Sequence, residues 1–222
     1  MLLAVDTSTR WTGLALYNGV YVLGEMIWQS QNTHTVEVAP AIQELLQRAG
    51  AKTGDLRGIG VAIGPGSFTS LRIGLSLAKG LALACRIPVV GIPTLDVLAA
   101  AQPARDLPMA AVLQAGRGRL AVAWYRVQSG AWALETAPAV LSVVDLAAQI
   151  HKPTLVCGEL TGEERQHLAR KRKNVILVSP AQSVRRPAYL AELAWRRWQS
   201  GKVDDPVALS PIYLHIAEAI PG

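Results

Sequence analysis

The chain has 222 residues, of which 50% are hydrophobic and 17% are charged, so its composition excludes an intrinsically disordered protein and allows one or two domains. A formal net charge of +6 fits a nucleic-acid or nucleotide partner, although many basic proteins have none. Cys85 and Cys157 form no CxxC pattern, which favours reduced thiols and a cytoplasmic protein.

The first hundred residues alternate strand and helix patterns in the order βββαβαβα. The N-terminal apolar run ends at Asp6 and reads as a strand, not as a signal peptide. Asn18-Gly19 predicts a hairpin turn between the second and third strands. Lys79 and Arg86 interrupt the longest apolar stretch below the length of a membrane span. The predicted strands are 2–5, 12–17, 20–28, 59–63 and 87–91, and the predicted helices are 35–49, 68–85 and 95–101.

The second half repeats this rough order after a Pro-containing linker at 102–108. Its predicted strands are 109–113, 120–127, 132–140, 154–157 and 175–178, and its predicted helices are 146–151, 163–172 and 188–199. We therefore predict a duplicated α/β architecture with a first lobe at 1–101 and a smaller second lobe at 108–204. Residues 205–222 could pack back on the first lobe.

Two polar loops follow strands of the first lobe. Asp6-Thr7-Ser8-Thr9 ends the first strand, and the stretch GPGSFTSLRIG, Gly64–Gly74, leads from the fourth strand into a helix. The second loop lacks the lysine of a Walker A motif and the third glycine of a Rossmann fingerprint. It is open to three interpretations: a structural turn, an anion cradle at a helix start, or the start of a protein interface. The candidate anion- or nucleotide-binding residues are Asp6, Thr7, Ser8, Thr9, Gly64, Gly66, Ser67 and Thr69.

The helix after this loop carries small residues at a spacing of four, which allow another backbone to approach closely. That backbone could belong to the protein's own sheet or to a partner's helix, and the sequence favours neither. The preceding helix has an apolar stripe and contains Pro40, which predicts a kink or a late start. The small residues are Ser70, Gly74, Ala78 and Ala82, and the stripe contains Val38, Ile42, Leu45 and Leu46.

The sequence contains no catalytic constellation and no metal-binding pattern. His34, His151, His167 and His215 are dispersed and form neither HxxxH nor HExxH. The basic run Arg170–Lys173 is typical of a solvated helix end more than of a nucleic-acid patch. We therefore predict neither catalytic nor metal-ligating residues.

Several motifs together resemble the bacterial TsaB (YeaZ) family: AVDTST near the start, His34 at the first helix, and GPGSFTSLRIG followed by Ala78-Lys79-Gly80. The resemblance is close over the first hundred residues and loose beyond them. It implies the actin-like, sugar-kinase and Hsp70-type (RNase H-like) fold of two similar lobes. It also implies a non-catalytic subunit that pairs with its catalytic paralogue TsaD and stabilises it. With the ATPase TsaE, that complex adds threonylcarbamoyl to the adenosine beside the anticodon of tRNA.

The resemblance also implies partners and a partner interface. It implies no cofactor bound by this chain alone, ATP or ADP with Mg at the complex interface, and tRNA contact through the complex. Separately, the apolar stripe beside the small-residue ridge predicts an exposed patch that a second copy could cover, and hence a homodimer when the partner is missing. Gln114 and Ala121 stand where family members often have Asp and Tyr, so a role for the second lobe is not carried over. The implied interface residues are Val38, Ile42, Leu45, Leu46, Ser70, Leu71, Gly74, Ala78 and Ala82.

An alternative hypothesis is a free-standing small-molecule kinase or ATPase of the same fold. It would use Asp6 and the loop that begins at Gly64. Such an enzyme needs further glycine-rich loops and a second carboxylate in the second lobe, but residues 108–126 contain only Gly116 and Gly118 and no carboxylate.

Overall fold

The structure is a computed structural model that describes residues 1–31, 33–171 and 173–214. The chain forms two compact units. Unit 1 comprises Met1–Ala101 and Arg185–Ile212, and unit 2 comprises Gln102–Val184 with the described residues from Tyr213 onward.

Unit 1 contains a five-stranded mixed sheet and four helices. Its elements are β1 (Leu2–Asp6), β2 (Trp11–Tyr17), β3 (Val22–Gln29), α1 (His34–Arg48), β4 (Gly58–Ala62), α2 (Phe68–Cys85), β5 (Val89–Ile92), α3 (Thr94–Ala100) and α6 (Pro187–Gln199). The strand order is β3-β2-β1-β4-β5, with β1 to β3 antiparallel and β4 and β5 parallel to β1. The predicted order βββαβαβα is confirmed.

Both faces of this sheet are covered by helices. Side chains alternate along β1, so Leu3 and Val5 lie in the cluster that packs against α1, while Leu2 and Ala4 lie in the cluster that packs against α6. Helix α2 packs on β4 through a cluster that includes Ile59. The continuous burial of β1 and β4 therefore follows from their position between two helical layers.

The predicted boundary of the second lobe at residue 204 is corrected, because helix α6 belongs to unit 1. Its buried side contains Leu190, Ala191 and Ala194, which pack on the sheet of unit 1. Downstream, the backbone N–H of Asp204 donates to the carbonyl of Val89 at 3.0 Å, and that of Ile212 to Ile63 at 2.7 Å. The described part of the predicted segment 205–222 thus lies on unit 1 as far as Ile212, and residues 215–222 fall outside the described residues.

Unit 2 repeats the strand order of unit 1. Its elements are β6 (Met109–Gly116), β7 (Arg119–Gln128), β8 (Ala131–Ser142), α4 (Val143–Gln149), β9 (Thr154–Gly158), α5 (Gly162–Ala169) and β10 (Val175–Leu177). The sheet order is β10-β9-β6-β7-β8, in which β6 to β8 are antiparallel and β9 and β10 run parallel to β6. This is the order of unit 1 with each strand number raised by five, so the predicted duplication is confirmed.

The N-termini of helices α2 and α4 are set by side-chain caps. Ser67 caps α2 and accepts a hydrogen bond from the backbone N–H of Ser70, as expected for Ser at an N-cap. The cap of α4 is Ser142, which forms a capping box with Asp145. This helix ends at Gln149, slightly before the predicted end at His151. Helix α1 begins at His34, so Pro40 does not mark a late start.

Helix α2 is long and apolar enough to cross a membrane by length and composition alone. Its buried residues, which include Leu71, Leu75 and Ala78, pack within unit 1. This one-sided burial is the arrangement of a helix in a globular core, and the remaining described helices do not meet the same length and hydropathy criterion.

Candidate functional site

Two loops meet at the carboxyl edge of the sheet of unit 1, as expected for strands β1 and β4, which run parallel. Loop A is residues 6–9, and loop B is residues 64–67. The backbone N–H of Ser67 donates to the carbonyl of Ser8 at 2.7 Å. A Cβ atom at Gly66 would lie 2.2 Å from that same carbonyl oxygen, so the close approach of the loops requires glycine there.

The hydroxyl groups of loop A are hydrogen-bonded within unit 1. Thr7 Oγ1 donates to the carbonyl of Ser70 at 2.6 Å, which ties loop A to the first turn of α2. Ser8 Oγ lies 2.8 Å from Thr94 Oγ1, and that hydroxyl also accepts the N–H of Gly64 at 3.0 Å. These bonds form a connected network between the two loops and the start of α3.

The carboxylate of Asp6 forms a buried ion pair with Arg185. Arg185 Nε lies 2.5 Å from Asp6 Oδ2, and the exposed fractions of the two side chains are 1% and 2%. Asp6 Oδ1 accepts the backbone N–H of Ser8 at 2.9 Å. Arg185 Nη2 also donates to Thr9 Oγ1 at 3.2 Å and to the carbonyl of Trp11 at 3.1 Å. Arg185 lies two residues before α6, so the ion pair ties loop A to the start of that helix.

The eight predicted anion-binding residues lie in or beside the two loops, and most of them are hydrogen-bonded to other groups of this chain. Both Asp6 oxygens and the hydroxyls of Thr7, Ser8 and Thr9 are engaged, and Ser67 is used as the cap of α2. Thr69 is exposed on the first turn of the helix. A nucleotide phosphate with Mg²⁺ does not fit this ligand set, because it would have to displace Arg185 and the contact between the loops.

Sequence reasoning missed two members of this network, Arg185 and Thr94. Arg185 is 179 positions from Asp6, so spacing in the sequence could not connect them. The only signal was that a buried aspartate needs a cationic or hydrogen-bonding partner. Across the described ranges, no group of three or more His, Cys, Asp or Glu side chains could hold a metal ion.

The predicted partner interface on α1 is corrected, since its apolar stripe faces the protein's own sheet. Val38, Ile42, Leu45 and Leu46 are 1%, 6%, 2% and 4% exposed. They pack in one cluster with Leu3, Val5 and residues of β2. The physical reason is that a half-apolar helix buries its stripe against the nearest apolar face, which here is the sheet.

The small-residue ridge on α2 is corrected in the same way. Leu71, Ala78 and Ala82 are at most 2% exposed, and Ser70 is also buried. A Cβ atom at Gly74 would lie 2.2 Å from Thr7 Oγ1, so this glycine permits the approach of loop A. The ridge therefore accommodates the Thr7 side chain of the protein's own loop A.

Helices α1 and α2 also line an open groove of about 670 Å³, here called the outer groove. Phe68 is 54% exposed at its end, and Arg72 Cζ lies 4.1 Å from the centre of the Phe68 ring. That cation–π contact holds the ring in place. The lining residues are His34, Thr35, Val38, Ala39, Phe68, Thr69, Arg72, Ile73, Ser76 and Leu77.

Contacts at the start of α1 connect the outer groove to loop A. The buried His34 ring lies with Nε2 3.2 Å from the carbonyl of Thr9. Hydrogen bonds from Thr33 and from Trp28 Nε1 hold the pKa of Glu37 below its usual value. The first turn of α1 is thus fixed to the sheet and to loop A.

In unit 2, the two positions that depart from the family pattern have structural roles. Gln114 Nε2 donates to Glu164 Oε2 at 2.7 Å and to the carbonyl of Glu159 at 3.1 Å. Ala121 is buried in β7. In the basic run, Lys171 Nζ donates to the carbonyl of Ala147 at 2.5 Å, and Arg172 lies outside the described residues.

The two units, each with the strand order of an RNase H-like domain, define an actin-like protein of the sugar-kinase and Hsp70 ATPase class. The fold is shared with a ROK hexokinase from Thermus thermophilus at a TM-score of 0.51 and 10% identity, which covers 90% of this chain and 99% of the hexokinase. A family model described as tRNA N6-adenosine threonylcarbamoyltransferase, TsaD, matches residues 24–188.

The chain belongs to the TsaB (YeaZ) family. It is 31% identical to a tRNA threonylcarbamoyladenosine biosynthesis protein TsaB from Bacillus subtilis over 98% of this chain and 95% of that protein. It is 33% identical to Escherichia coli TsaB over 63% of this chain and 62% of that protein. YeaZ from Pseudomonas aeruginosa superposes with a TM-score of 0.79 at 26% identity, covering 96% of this chain and 99% of that one.

Proposed function

We propose that this chain is a non-catalytic subunit of the machinery that adds threonylcarbamoyl to the adenosine beside the anticodon of tRNA. Family membership supports the pathway, because curated relatives are named for threonylcarbamoyladenosine biosynthesis. The observation that carries the non-catalytic role is the buried Asp6–Arg185 pair. It supplies, from the protein itself, the positive charge that a bound metal ion would otherwise bring to the Asp6 carboxylate.

The proposed partner is the catalytic paralogue TsaD, which docks on the outer groove. An apolar groove that ends in a half-exposed phenylalanine and an arginine has the composition of a protein-binding site. The ATPase TsaE and tRNA then join through the complex, and ATP or ADP with Mg belongs to the interface with the partner. Without the partner, two copies of the chain would pair through the same surface.

The alternative of a free-standing kinase or ATPase requires Asp6 to act on a nucleotide. That role conflicts with the ion pair, because both carboxylate oxygens already accept hydrogen bonds from the protein. Opening the site would leave Arg185 buried without its counter-charge, at a cost of several kcal/mol.

A reconstituted modification assay tests the proposal. Threonylcarbamoyladenosine formation on tRNA is measured with TsaD, TsaE, this chain, ATP and a supplied activated threonylcarbamoyl donor, with each protein omitted in turn. We expect product only when TsaD and this chain are both present, and no ATP hydrolysis by this chain alone. Since Asp6→Asn keeps an oxygen for the Ser8 N–H, this variant should still support modification if it folds. ATP turnover by the isolated chain that disappears in Asp6→Asn would favour the kinase or ATPase alternative.

A further inference from the structure

A second groove, on unit 2, has no role in the function proposed above. Its volume is about 510 Å³, and it lies beside the end of α4 and the start of β9. We call it the unit-2 groove. Its lining residues are Pro108, Trp124, Arg126, Glu135, Thr136, Gln149, His151, Lys152 and Thr154.

The unit-2 groove has an aromatic wall. Trp124 is partly buried, and it packs against the core cluster of unit 2. Within the described part of the chain, no acceptor is hydrogen-bonded to its indole N–H. The ring thus offers a flat surface fixed by the core and a donor that a ligand could satisfy.

The pairing of β7 with β8 is irregular on both sides of Trp124. Val122 pairs with Ala139, Trp124 with Thr136 and Tyr125 with Leu134, so β8 contains an extra residue in each interval. Pro138, in the first interval, has no N–H to donate to the ladder, which explains one of the irregularities. Bulges of this kind are frequent beside binding sites, where they redirect side chains.

The charged groups around the unit-2 groove favour an anion. Glu135 is its one acidic lining residue, and its Oε1 accepts a hydrogen bond from Arg126 Nε at 2.8 Å. Lys152 and His151 also line the groove and are exposed in the connection between α4 and β9. Since Arg126 and Glu135 neutralise each other, Lys152 leaves the lining of the groove with a net positive charge.

We propose that the unit-2 groove binds a nucleoside phosphate unit. The base stacks on Trp124, and the phosphate lies near Lys152 and His151. A fixed aromatic ring next to cationic side chains is the arrangement by which proteins hold unpaired nucleotides without reading their sequence. The unit comes either from an RNA strand or from a free nucleotide. This proposal is independent of whether the chain pairs with a paralogue.

Binding of two probes to the full-length chain tests this proposal. The probes are adenosine 5′-monophosphate, followed by NMR or calorimetry, and a short fluorescein-labelled single-stranded oligoribonucleotide, followed by anisotropy. The variants are Trp124→Leu and Lys152→Glu, with Lys173→Glu as the matched control. Lys173 is an exposed lysine of the same unit that does not line the groove.

We expect Trp124→Leu and Lys152→Glu each to weaken binding about tenfold or more, and Lys173→Glu to change it less than twofold. Tighter binding of the oligoribonucleotide identifies an RNA strand as the source, and binding of the monophosphate alone identifies a free nucleotide. The proposal is overturned if neither probe binds, or if Lys173→Glu weakens binding as much as Lys152→Glu. Lys152 is exposed, so its variant remains informative if Trp124→Leu fails to fold.

Discussion

At the scale of single residues, the Asp6–Arg185 pair decides how loop A is interpreted. The sequence presents an aspartate followed by hydroxyl residues, and this pattern suits either a phosphate site or a structural turn. Burial of the carboxylate beside a guanidinium favours the turn. Neither Asp6 nor Arg185 by itself predicts the ion pair in the sequence, because the two residues come together only when distant parts of unit 1 fold.

Removal of Arg185 should destabilise the protein strongly. Arg185→Met leaves the Asp6 carboxylate buried without a counter-charge, which costs about 3–5 kcal/mol of unfolding free energy. The control is Arg186→Met, which breaks the more exposed pair between Arg186 and Glu25 and should cost about 0–1 kcal/mol. Urea denaturation of both variants measures the difference.

A double variant separates charge burial from packing. Asp6→Asn with Arg185→Met removes both charges, so it should recover much of the stability lost in Arg185→Met. If Arg185→Met lowers the unfolding free energy no more than Arg186→Met, the ion pair does not stabilise loop A. A nucleotide could then bind there without loss of a stabilising contact.

The two cysteines should differ in reactivity. Burial raises the pKa of the Cys157 thiol to about 12, so almost no thiolate is present at pH 8. Cys85 is partly exposed near the end of α2. A thiol reagent at pH 8 should modify Cys85 alone in the folded protein and both cysteines in denaturant. Modification of a folded Cys85→Ser variant at a comparable rate would show that Cys157 is accessible.

At the scale of elements, α2 shows what the sequence can and cannot predict. Its bounds, Phe68–Cys85, were predicted correctly because Ser67 provides a cap and the apolar pattern stops at Arg86. The direction of its small-residue ridge was left open, since close approach by any backbone favours small residues. In the structure, the group that lies closest to Gly74 is the Thr7 side chain of loop A.

Two glycines of α2 should respond oppositely to alanine. In Gly74→Ala the new Cβ would lie 2.2 Å from Thr7 Oγ1, which forces Thr7 from its hydrogen bond with Ser70. Overpacking costs about 1–3 kcal/mol, more than the gain in helix propensity of about 0.5–1 kcal/mol. In Gly80→Ala nothing lies within 4 Å of the new atom, so only the gain remains.

Thermal melting of the two variants measures this difference. The melting temperature should fall in Gly74→Ala and rise in Gly80→Ala. Equal increases in both variants would mean that the ridge faces open space, and the prediction of a partner helix on that side would return.

The order of elements along the chain and the hairpin pairs were predictable, and the assignment of α6 was not. Hairpin turns make consecutive antiparallel strands neighbours in the sheet, but the pairing of β4 with β1 and of β9 with β6 joins strands that are distant in the sequence. Helix α6 follows the second set of strands in sequence but packs on the first sheet through Leu190, Ala191 and Ala194. No local pattern distinguishes the two sheets as targets for an apolar helix face.

At the scale of the whole molecule, the proposed function requires that a catalytic paralogue binds to the outer groove. The apolar stripe of α1 and the ridge of α2 are buried in the core of unit 1. The proposed partner would therefore contact the residues of these helices that remain exposed beside the groove. Phe68 is the largest exposed apolar side chain among the lining residues of the outer groove, so it is the residue whose removal should matter most.

Calorimetric titration of the purified TsaD paralogue with variants of this chain tests that claim most directly. Phe68→Asp places a charge in the outer groove, while the control Val207→Asp changes an 85% exposed valine of unit 1 outside it. We expect saturable binding of the unaltered chain and of Val207→Asp, and a loss of about tenfold or more in Phe68→Asp, with equal melting temperatures for all three. Unchanged affinity of Phe68→Asp for the paralogue would contradict the account.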